Sequence, residues 1–261
     1  MSILQNLPCS LCEPGPEQVD GIGNFYLHVL GPAPSQLPAL ILFCLDSHGQ
    51  IPSEIHNPDY EPIKESQIDW FTNNSQEQRR ARENHITDNS PHMSVVFQHI
   101  PLPEFGDPLL SIHSGRRREP TEGPSLNSHF YDALIKEGVS ALGCGHDHVN
   151  NFCALLPQQT QQLGSEISQL GPWLCYAGVS GFGAYSSYNN ERFHRRTRVW
   201  EFDMNNWSLK TWMRVEYVKR KIDELVLVES GAVVDPTTKE DEGKSCAVIE
   251  HPTKRNRFNY D

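Results

Sequence analysis

Short continuous runs of apolar residues alternate with one long amphipathic segment in the first half of the chain. Residues 39–47 (ALILFCLDS) and 94–102 (SVVFQHIPL) are largely apolar, which is typical of strands buried on both faces of a sheet. Residues 65–85 lie between them and combine an apolar side, with Trp70 and Phe71, and a charged side, which predicts a helix. The alternation of strand and helix predicts an α/β fold.

The second half of the chain is richer in predicted strands. Residues 128–138 predict a short helix that ends at Gly138, and residues 139–145 predict a strand that runs directly into a histidine. Residues 106–127 carry glycine, proline and three consecutive arginines, which predicts a long loop. Three later segments have the branched and aromatic residues of further strands: 173–185, 197–204 and 209–217.

Charge and length limit the classes of partner. The chain of 261 residues has 33 acidic and 22 basic residues, a net charge of -11, so it has no general reason to bind nucleic acid or an acidic membrane. No apolar run approaches the roughly 18 residues that a membrane-spanning helix needs. We therefore expect no nucleic-acid and no membrane partner.

Cysteine usage and the first residues indicate a compartment. The seven cysteines are odd in number and have no repeating spacing, which favours reduced thiols over a secreted disulfide framework. The opening residues, MSILQNLPCSL, lack the basic region and long apolar core of a signal peptide. Together these features predict a cytoplasmic protein.

A pair of histidines forms the first candidate for chemistry. His146 and His148 follow a predicted strand at a glycine turn, in the stretch GCGHDHVNN, and neutral imidazole is a common metal ligand. Two surface histidines, one of them paired with Asp147, would give the same pattern. A structural zinc site formed by Cys144, His146, His148 and Cys153 is a third interpretation, although the spacing differs from the usual zinc motifs.

Longer stretches resemble a known family. CGHDHVNNFC, GPWLCYAGVSGFGAY and RRTRVWEFD, together with FQHIPLPEF upstream, are similar to the C-terminal half of calcineurin-like metallophosphoesterases. Among these, fungal cell-cycle-regulator phosphatases and plant purple-acid-phosphatase-like proteins are the most similar branch. The resemblance covers roughly residues 8–230, so we expect residues 1–230 to form the C-terminal part of such a domain. Residues 231–261 are expected to be a charged, mobile tail.

The resemblance implies a fold and a metal centre. The family has a four-layer αββα sandwich, of which this chain would supply a part, and two metal ions, Fe, Zn or Mn, about 3.5–4 Å apart. These ions clamp a phosphate and activate a water for in-line attack. By motif, His99 and His146 would bind one metal and His148 the other, whereas Asp147 is not a usual ligand. The implied substrate is a phosphomonoester of a phosphorylated small molecule or a phosphoprotein.

The family also has upstream metal-binding motifs. This chain contains only short look-alikes of them, and these occur in a different order. Asp46-Ser47-His48 imitates the Asp-x-His motif, and Gly106-Asp107 and Gly23-Asn24 imitate two others, but each lies within a stretch that matches a later part of the family. We therefore expect Asp46, His48 and Asp107 not to be metal ligands, and the chain to be truncated at its N-terminus with an incomplete centre.

Three functions follow as hypotheses. The first is a metal-dependent phosphoesterase with activity impaired by the missing ligands. The second is a catalytically inactive fragment or interaction module, and the third is the structural-zinc module. Arg116, Arg117 and Arg118 could contact a substrate phosphate or form a solvated basic loop.

Overall fold

A mixed sheet of seven strands forms the centre of an α/β fold in the computed structural model, which describes residues 2–33, 35, 37–54, 56–84, 91–157, 170–183 and 185–236. The helices and strands, numbered along the chain, are α1 (Ser2–Gln5), β1 (Phe25–Leu30), β2 (Pro38–Cys44), β3 (Gln50–Ile51), β4 (Asp59–Tyr60), α2 (Glu65–Glu83), β5 (Met93–Phe97), β6 (Ser111–Ser114), α3 (Phe130–Lys136), β7 (Ala141–Cys144), β8 (Cys153–Leu155), β9 (Trp173–Tyr176), β10 (Ser187–Tyr188), β11 (Glu191–Arg192), β12 (Arg196–Asp203), β13 (Ser208–Val215), β14 (Ile222–Glu229) and β15 (Ala232–Val233).

The central sheet has the strand order β1-β2-β5-β7-β9-β8-β6. Strands β2, β5, β7 and β9 are parallel to one another, whereas β1, β8 and β6 pair in antiparallel fashion at the two sides. The carboxyl ends of four neighbouring parallel strands therefore meet at one edge of the sheet, which is where α/β proteins place ligand sites.

Helices α2 and α3 cover one face of this sheet. The ring of Phe71 on α2 lies 5.0 Å from the ring of Phe43 on β2 and 5.4 Å from that of Phe130 on α3. All three side chains are fully buried, and they belong to the larger of two apolar clusters. The apolar side of α2 that the sequence predicts is thus the side that packs on the sheet.

A second, antiparallel sheet of β12, β13, β14 and β15 covers the other face. The rings of Phe97 and Trp200 meet edge to face at 5.5 Å, and the indole N–H of Trp173 donates to the Leu227 carbonyl at 3.0 Å across the two sheets. The described elements therefore form three layers: one layer of helices, the central sheet and the second sheet. A second helical layer, which a four-layer sandwich requires, is not among them.

Two segments differ from the elements predicted by sequence. Part of the predicted loop 106–127 is strand β6, which pairs with β8 where Gly115, at φ +75, lets the chain pass the Asn151 carbonyl. Within the predicted tail 231–261, residues Ala232–Val233 form strand β15, which pairs with β14, and the tail itself stays a prediction. Residues 237–261 of that tail lie outside the described residues.

A disulfide joins Cys153 on β8 to Cys175 on β9, in contrast with the reduced thiols expected from the sequence. The two residues face each other across the antiparallel pair. Because the Cys153 sulfur is bonded to Cys175, it cannot be a thiolate ligand, and the structural-zinc interpretation loses one of its four ligands.

Among the described helices, none is long and apolar enough to cross a membrane.

Candidate metal centre

The histidines predicted to bind metal follow neighbouring parallel strands. His99 comes just after β5 and His146 just after β7, and these two strands pair directly. Parallel pairing places their carboxyl ends side by side. The two histidines thus reach the same edge of the sheet from separate parts of the chain.

The structure brings His99 and His146 together. Their ring centroids are 5.4 Å apart and the rings are nearly perpendicular. Gly145 donates its N–H to the His99 carbonyl at 3.0 Å, and a Cβ at Gly145 would lie only 3.2 Å from His99 Nδ1. Glycine at this position therefore permits the close approach of the two histidines.

His148 is partly exposed and is held by Tyr185. Its ring stacks on the Tyr185 ring at 4.0 Å, and its Nδ1 lies 3.2 Å from the Tyr185 carbonyl oxygen. A carbonyl oxygen can only accept a hydrogen bond, so Nδ1 carries the proton. In the neutral ring with this tautomer, Nε2 carries the lone pair, which is the usual arrangement of a metal-binding histidine.

The charge state of the His99 and His146 rings suits metal binding. Burial, and then the nearby His99 and His148, lower the pKa of His146 to about 4. Burial, and then His148, lower the pKa of His99 below its usual value. Both rings are therefore neutral near pH 7, as a metal ligand must be. His146 Nε2 is also buried without a hydrogen-bond partner among the described residues, which fits a nitrogen meant for a metal.

Two carboxylates lie next to this pair. Ligand atoms of Glu122, His146 and Asp147 all lie within 4.8 Å of one another, which makes them a group that could hold a cation. Sequence reasoning set Asp147 aside and missed Glu122, because Glu122 belongs to a distant loop with no motif of its own. Its place beside His146 depends on how that loop folds back.

Asp147 is a buried residue, not a solvated one. Its side chain accepts hydrogen bonds from the Tyr176 hydroxyl and from the Glu122 backbone N–H, the latter at 3.2 Å. Burial, partly offset by these hydrogen bonds, raises its pKa to about 7. Asp147 thus anchors the Glu122 loop to the ends of β7 and β9.

Tyr60 on β4 is a further neighbour that the sequence did not reveal. Its ring meets the His146 ring edge to face at 4.6 Å. The adjacent Asp59 accepts hydrogen bonds from the N–H and hydroxyl of Ser125, at 2.9 and 2.8 Å. Strand β4 and the loop that carries Glu122 are therefore joined beside His146.

The residues that imitate upstream family motifs make local hydrogen bonds. The two Asp46 oxygens accept from the backbone N–H groups of Ile22, at 2.7 Å, and His48, at 2.9 Å. The His48 ring lies 2.7 Å from the Gln67 side-chain oxygen, and Asp107 accepts from the Leu109 N–H at 2.7 Å. Within the described ranges, none of the three belongs to a metal-ligating group. Their exclusion as ligands stays a prediction, which these hydrogen bonds support.

Comparison with known proteins gives plant and fungal relatives. The chain is 32% identical over 273 aligned positions to "Probable inactive purple acid phosphatase 14" of Arabidopsis thaliana, covering 95% of this chain and 62% of that protein. It is 36% identical over 241 positions to "Probable inactive purple acid phosphatase 29" of the same plant, covering 83% and 56%. It is 28% identical over 227 positions to "Phosphatase DCR2" of Saccharomyces cerevisiae, covering 83% and 36%.

The chain spans about three fifths or less of the length of these relatives. No family model matches it, and no solved structure matches it at a significant level. The relatives carry phosphatase names, and two of them are named inactive. These similarities support a metallophosphoesterase-type family for the chain.

Proposed function

We propose that this chain carries the histidine side of a metal-dependent phosphoesterase site that acts on phosphomonoesters of small molecules or of phosphoproteins. The observation that carries the proposal is the meeting of His99 and His146 at paired strand ends, with ring centroids 5.4 Å apart. The unpartnered Nε2 of His146 and the phosphatase names of the relatives support it.

Each side chain has a defined part in this proposal. His99 and His146 would hold one ion, and His148, oriented by Tyr185, would hold the other. When bound, Fe, Zn or Mn ions polarise a phosphoryl oxygen and lower the pKa of water. Gly145 gives His99 and His146 room to approach, and Asp147 holds the loop that brings Glu122 to the same place.

Charge compensation in this site is incomplete. Three imidazoles contribute no negative charge, and Asp147, with its pKa near 7, contributes only part of one. Two cations close together repel each other, and the single negative charge of Glu122 compensates only a small part of their positive charge. We therefore propose that phosphoester hydrolysis by this chain alone is impaired.

The second candidate function is a catalytically inactive protein or interaction module with the same fold. The names of the plant relatives, which include the word inactive, favour it. The two candidates differ in how they respond to added metal ligands. A phosphoesterase site regains turnover when further ligands complete it, whereas an inactive module shows no turnover with or without them.

Turnover of an aryl phosphate with added Mn²⁺ or Zn²⁺ tests the proposal. We expect this chain to hydrolyse the substrate no faster than its His146→Ala variant, because the ligand set is incomplete. Fusion to the portion of "Phosphatase DCR2" that this chain does not span should raise the rate, typically by a factor of ~10² or more if a general acid is restored. That gain should vanish with His146→Ala.

Two outcomes contradict the proposal. No gain in the fusion, with the fold intact by circular dichroism, favours the inactive module. Fast metal-dependent turnover by the unfused chain, lost in Asp46→Ala, would show that the local Asp46-Ser47-His48 motif supplies ligands.

The family resemblance carries one broader proposal, a four-layer sandwich to which this chain contributes three layers. Two further proposals come from composition: a cytoplasmic location, and no nucleic-acid or membrane partner. Net charge of -11 supports the last of these.

A further inference from the structure

Two arginines share one aromatic ring close to the candidate metal centre. The guanidinium carbon of Arg118 lies 5.0 Å from the centroid of the Phe193 ring, and that of Arg196 lies 5.7 Å from it. Arg118 is partly buried and Arg196 is 6% exposed. Two like charges are thus held near each other and partly shielded from water, which is unfavourable without a partner of opposite charge.

The protein itself provides few acceptors for these two guanidinium groups. The Arg118 side chain donates through Nη1 to the Val149 carbonyl, at 3.1 Å, and to the Asn151 side chain, while Arg196 donates through Nε to the His194 carbonyl at 3.1 Å. Over the described part of the chain, neither forms a salt bridge, in contrast with Arg79, whose Nη2 lies 2.7 Å from Glu137. A guanidinium has five N–H donors, so most of these donors remain available.

The donors that remain available also reach the surface. Within the described residues, Arg118 and Arg196 contribute no nitrogen that is both buried and unpartnered. Arg198, a third arginine of the group, is different because its three nitrogens donate to Tyr176, Thr211 and Asn151. The open donors of the cluster therefore belong to Arg118 and Arg196.

Positive charge exceeds negative charge at this place, although the whole chain is acidic. Arg118, Arg196 and Arg198 all interact with one partly buried carboxylate, Asp223, whose oxygen accepts from the Asn151 side chain at 2.8 Å, and Arg116 adds a further positive charge beside Arg118. The exposed Glu191 also acts on Arg118. Burial, and then Arg196, lower the pKa of Arg118 to about 10. A bound anion would offset this excess.

The arginine pair adjoins His148. Arg118 bonds the carbonyl of Val149, the next residue after His148. Glu119, the next residue after Arg118, accepts from the Val149 N–H at 2.8 Å and from the Tyr185 hydroxyl at 3.0 Å. Tyr185 in turn stacks on the His148 ring. One short network thus joins the arginine pair to His148, one of the candidate metal ligands.

We propose that Arg118 and Arg196, stacked on Phe193, form an anion-binding subsite beside His148 that takes a second anionic group of the substrate. Its role toward a substrate rests on the proposed phosphoesterase function, whereas its capacity to bind an anion does not. Guanidinium groups bind carboxylate and phosphate through paired N–H donors. The group is therefore an acidic side chain of a phosphoprotein or a second phosphate of a small molecule.

Nuclear magnetic resonance on the metal-free chain tests the subsite apart from any metal or turnover. The chain is titrated with inorganic diphosphate and, separately, with the peptide acetyl-Glu-Glu-Glu-amide. We expect the Nε–Hε signals of Arg118 and Arg196 to shift saturably, while that of Arg80, an exposed arginine on α2, stays in place. Tighter binding of diphosphate indicates a second phosphate, and tighter binding of the peptide indicates an acidic side chain.

Variants sharpen the test. Arg196→Gln should weaken binding about tenfold, the usual loss when a hydrogen bond to a charged group is removed. Arg196→Lys keeps the charge but lacks the paired donors, so its affinity for the anion should lie between those of the wild type and Arg196→Gln. Arg80→Gln, the matched control, should bind like the wild type.

Equal affinity of Arg196→Gln and the wild type would overturn the subsite, as would equal shifts of all arginine signals. If Arg196→Gln does not fold, the titration of the unaltered chain decides alone. Failure of the phosphoesterase assay with saturable shifts here would sink the enzyme proposal and leave the anion site standing.

Discussion

At the scale of single residues, the placement of His99 depends on one buried hydroxyl. Ser47, 5% exposed, follows β2, and its Oγ accepts the backbone N–H groups of His99 at 3.2 Å and Ile100 at 2.9 Å. This contact joins the end of β2 to the end of β5 beyond the last ladder pair. Ser47 therefore sets where His99 leaves the sheet.

Ser47→Ala should destabilise the chain by about 2 kcal/mol, because it leaves two N–H donors without their acceptor, one of them buried. Urea denaturation measures the change, with Ser187→Ala on exposed strand β10 as the control, expected within about 0.5 kcal/mol of the wild type. An unchanged denaturation midpoint for Ser47→Ala would mean that water or a shifted backbone replaces the hydroxyl.

The Asp147→Asn variant should gain stability relative to the wild type, measured as the free energy of unfolding, as the pH rises. The Asp147 pKa is about 7 in the folded chain and 3.8 in its ordinary state, so the folded wild type binds more protons between these values and loses stability as pH increases through them. Asparagine has no proton to lose, and its side-chain oxygen can still accept from Tyr176 and from the Glu122 N–H.

The difference in unfolding free energy between Asp147→Asn and the wild type should therefore grow from about pH 4 to about pH 7 and then level off. Urea titrations with chelator present measure it. His146 has the opposite pH dependence, with stability lost as the pH falls from 6.5 towards 4, but it is common to both proteins and cancels. A difference that is flat with pH would show that Asp147 is ionised at little cost.

At the scale of elements, apolar runs predict which segments reach the functional edge. The strands that carry His99 and His146 are continuous apolar runs, and their parallel pairing puts both histidines together. Glu122 and Tyr60 were not predictable in this way, because their positions depend on how two irregular segments are tied through Asp59. Strand β6 and the Cys153–Cys175 disulfide were not predicted from the sequence for the same reason, since pairing between distant segments leaves no local periodicity.

Gly143→Ala should destabilise the contact between β5, β7 and β12 by about 1–3 kcal/mol through overpacking. A Cβ at Gly143 would lie 2.8 Å from a Phe97 ring carbon and 3.1 Å from a Trp200 ring carbon. Gly181→Ala is the matched control, because a Cβ there meets nothing within 4 Å. Thermal unfolding compares the two, and equal melting temperatures would mean that the two sheets part easily at this point.

At the scale of the whole molecule, the fold is a sheet covered on two faces with the candidate metal centre at one edge. The two apolar clusters hold the strands of that edge in place. One packs α2 and α3 on the central sheet, and the other packs the second sheet on β2, β5 and β7. The relatives with phosphatase names agree with a metal centre there. Metal binding by His99, His146 and His148 is the claim on which the remaining functional argument rests.

Anomalous diffraction from zinc-loaded crystals of the chain, recorded on both sides of the zinc absorption edge, tests that claim most directly. We predict a peak about 2.1 Å from a ring nitrogen of His99 and of His146, and a second, weaker peak at His148 Nε2. Crystals of His146→Ala should lose the first peak. A peak at Asp46 and His48, or no peak beside His146 at millimolar zinc, would contradict the account.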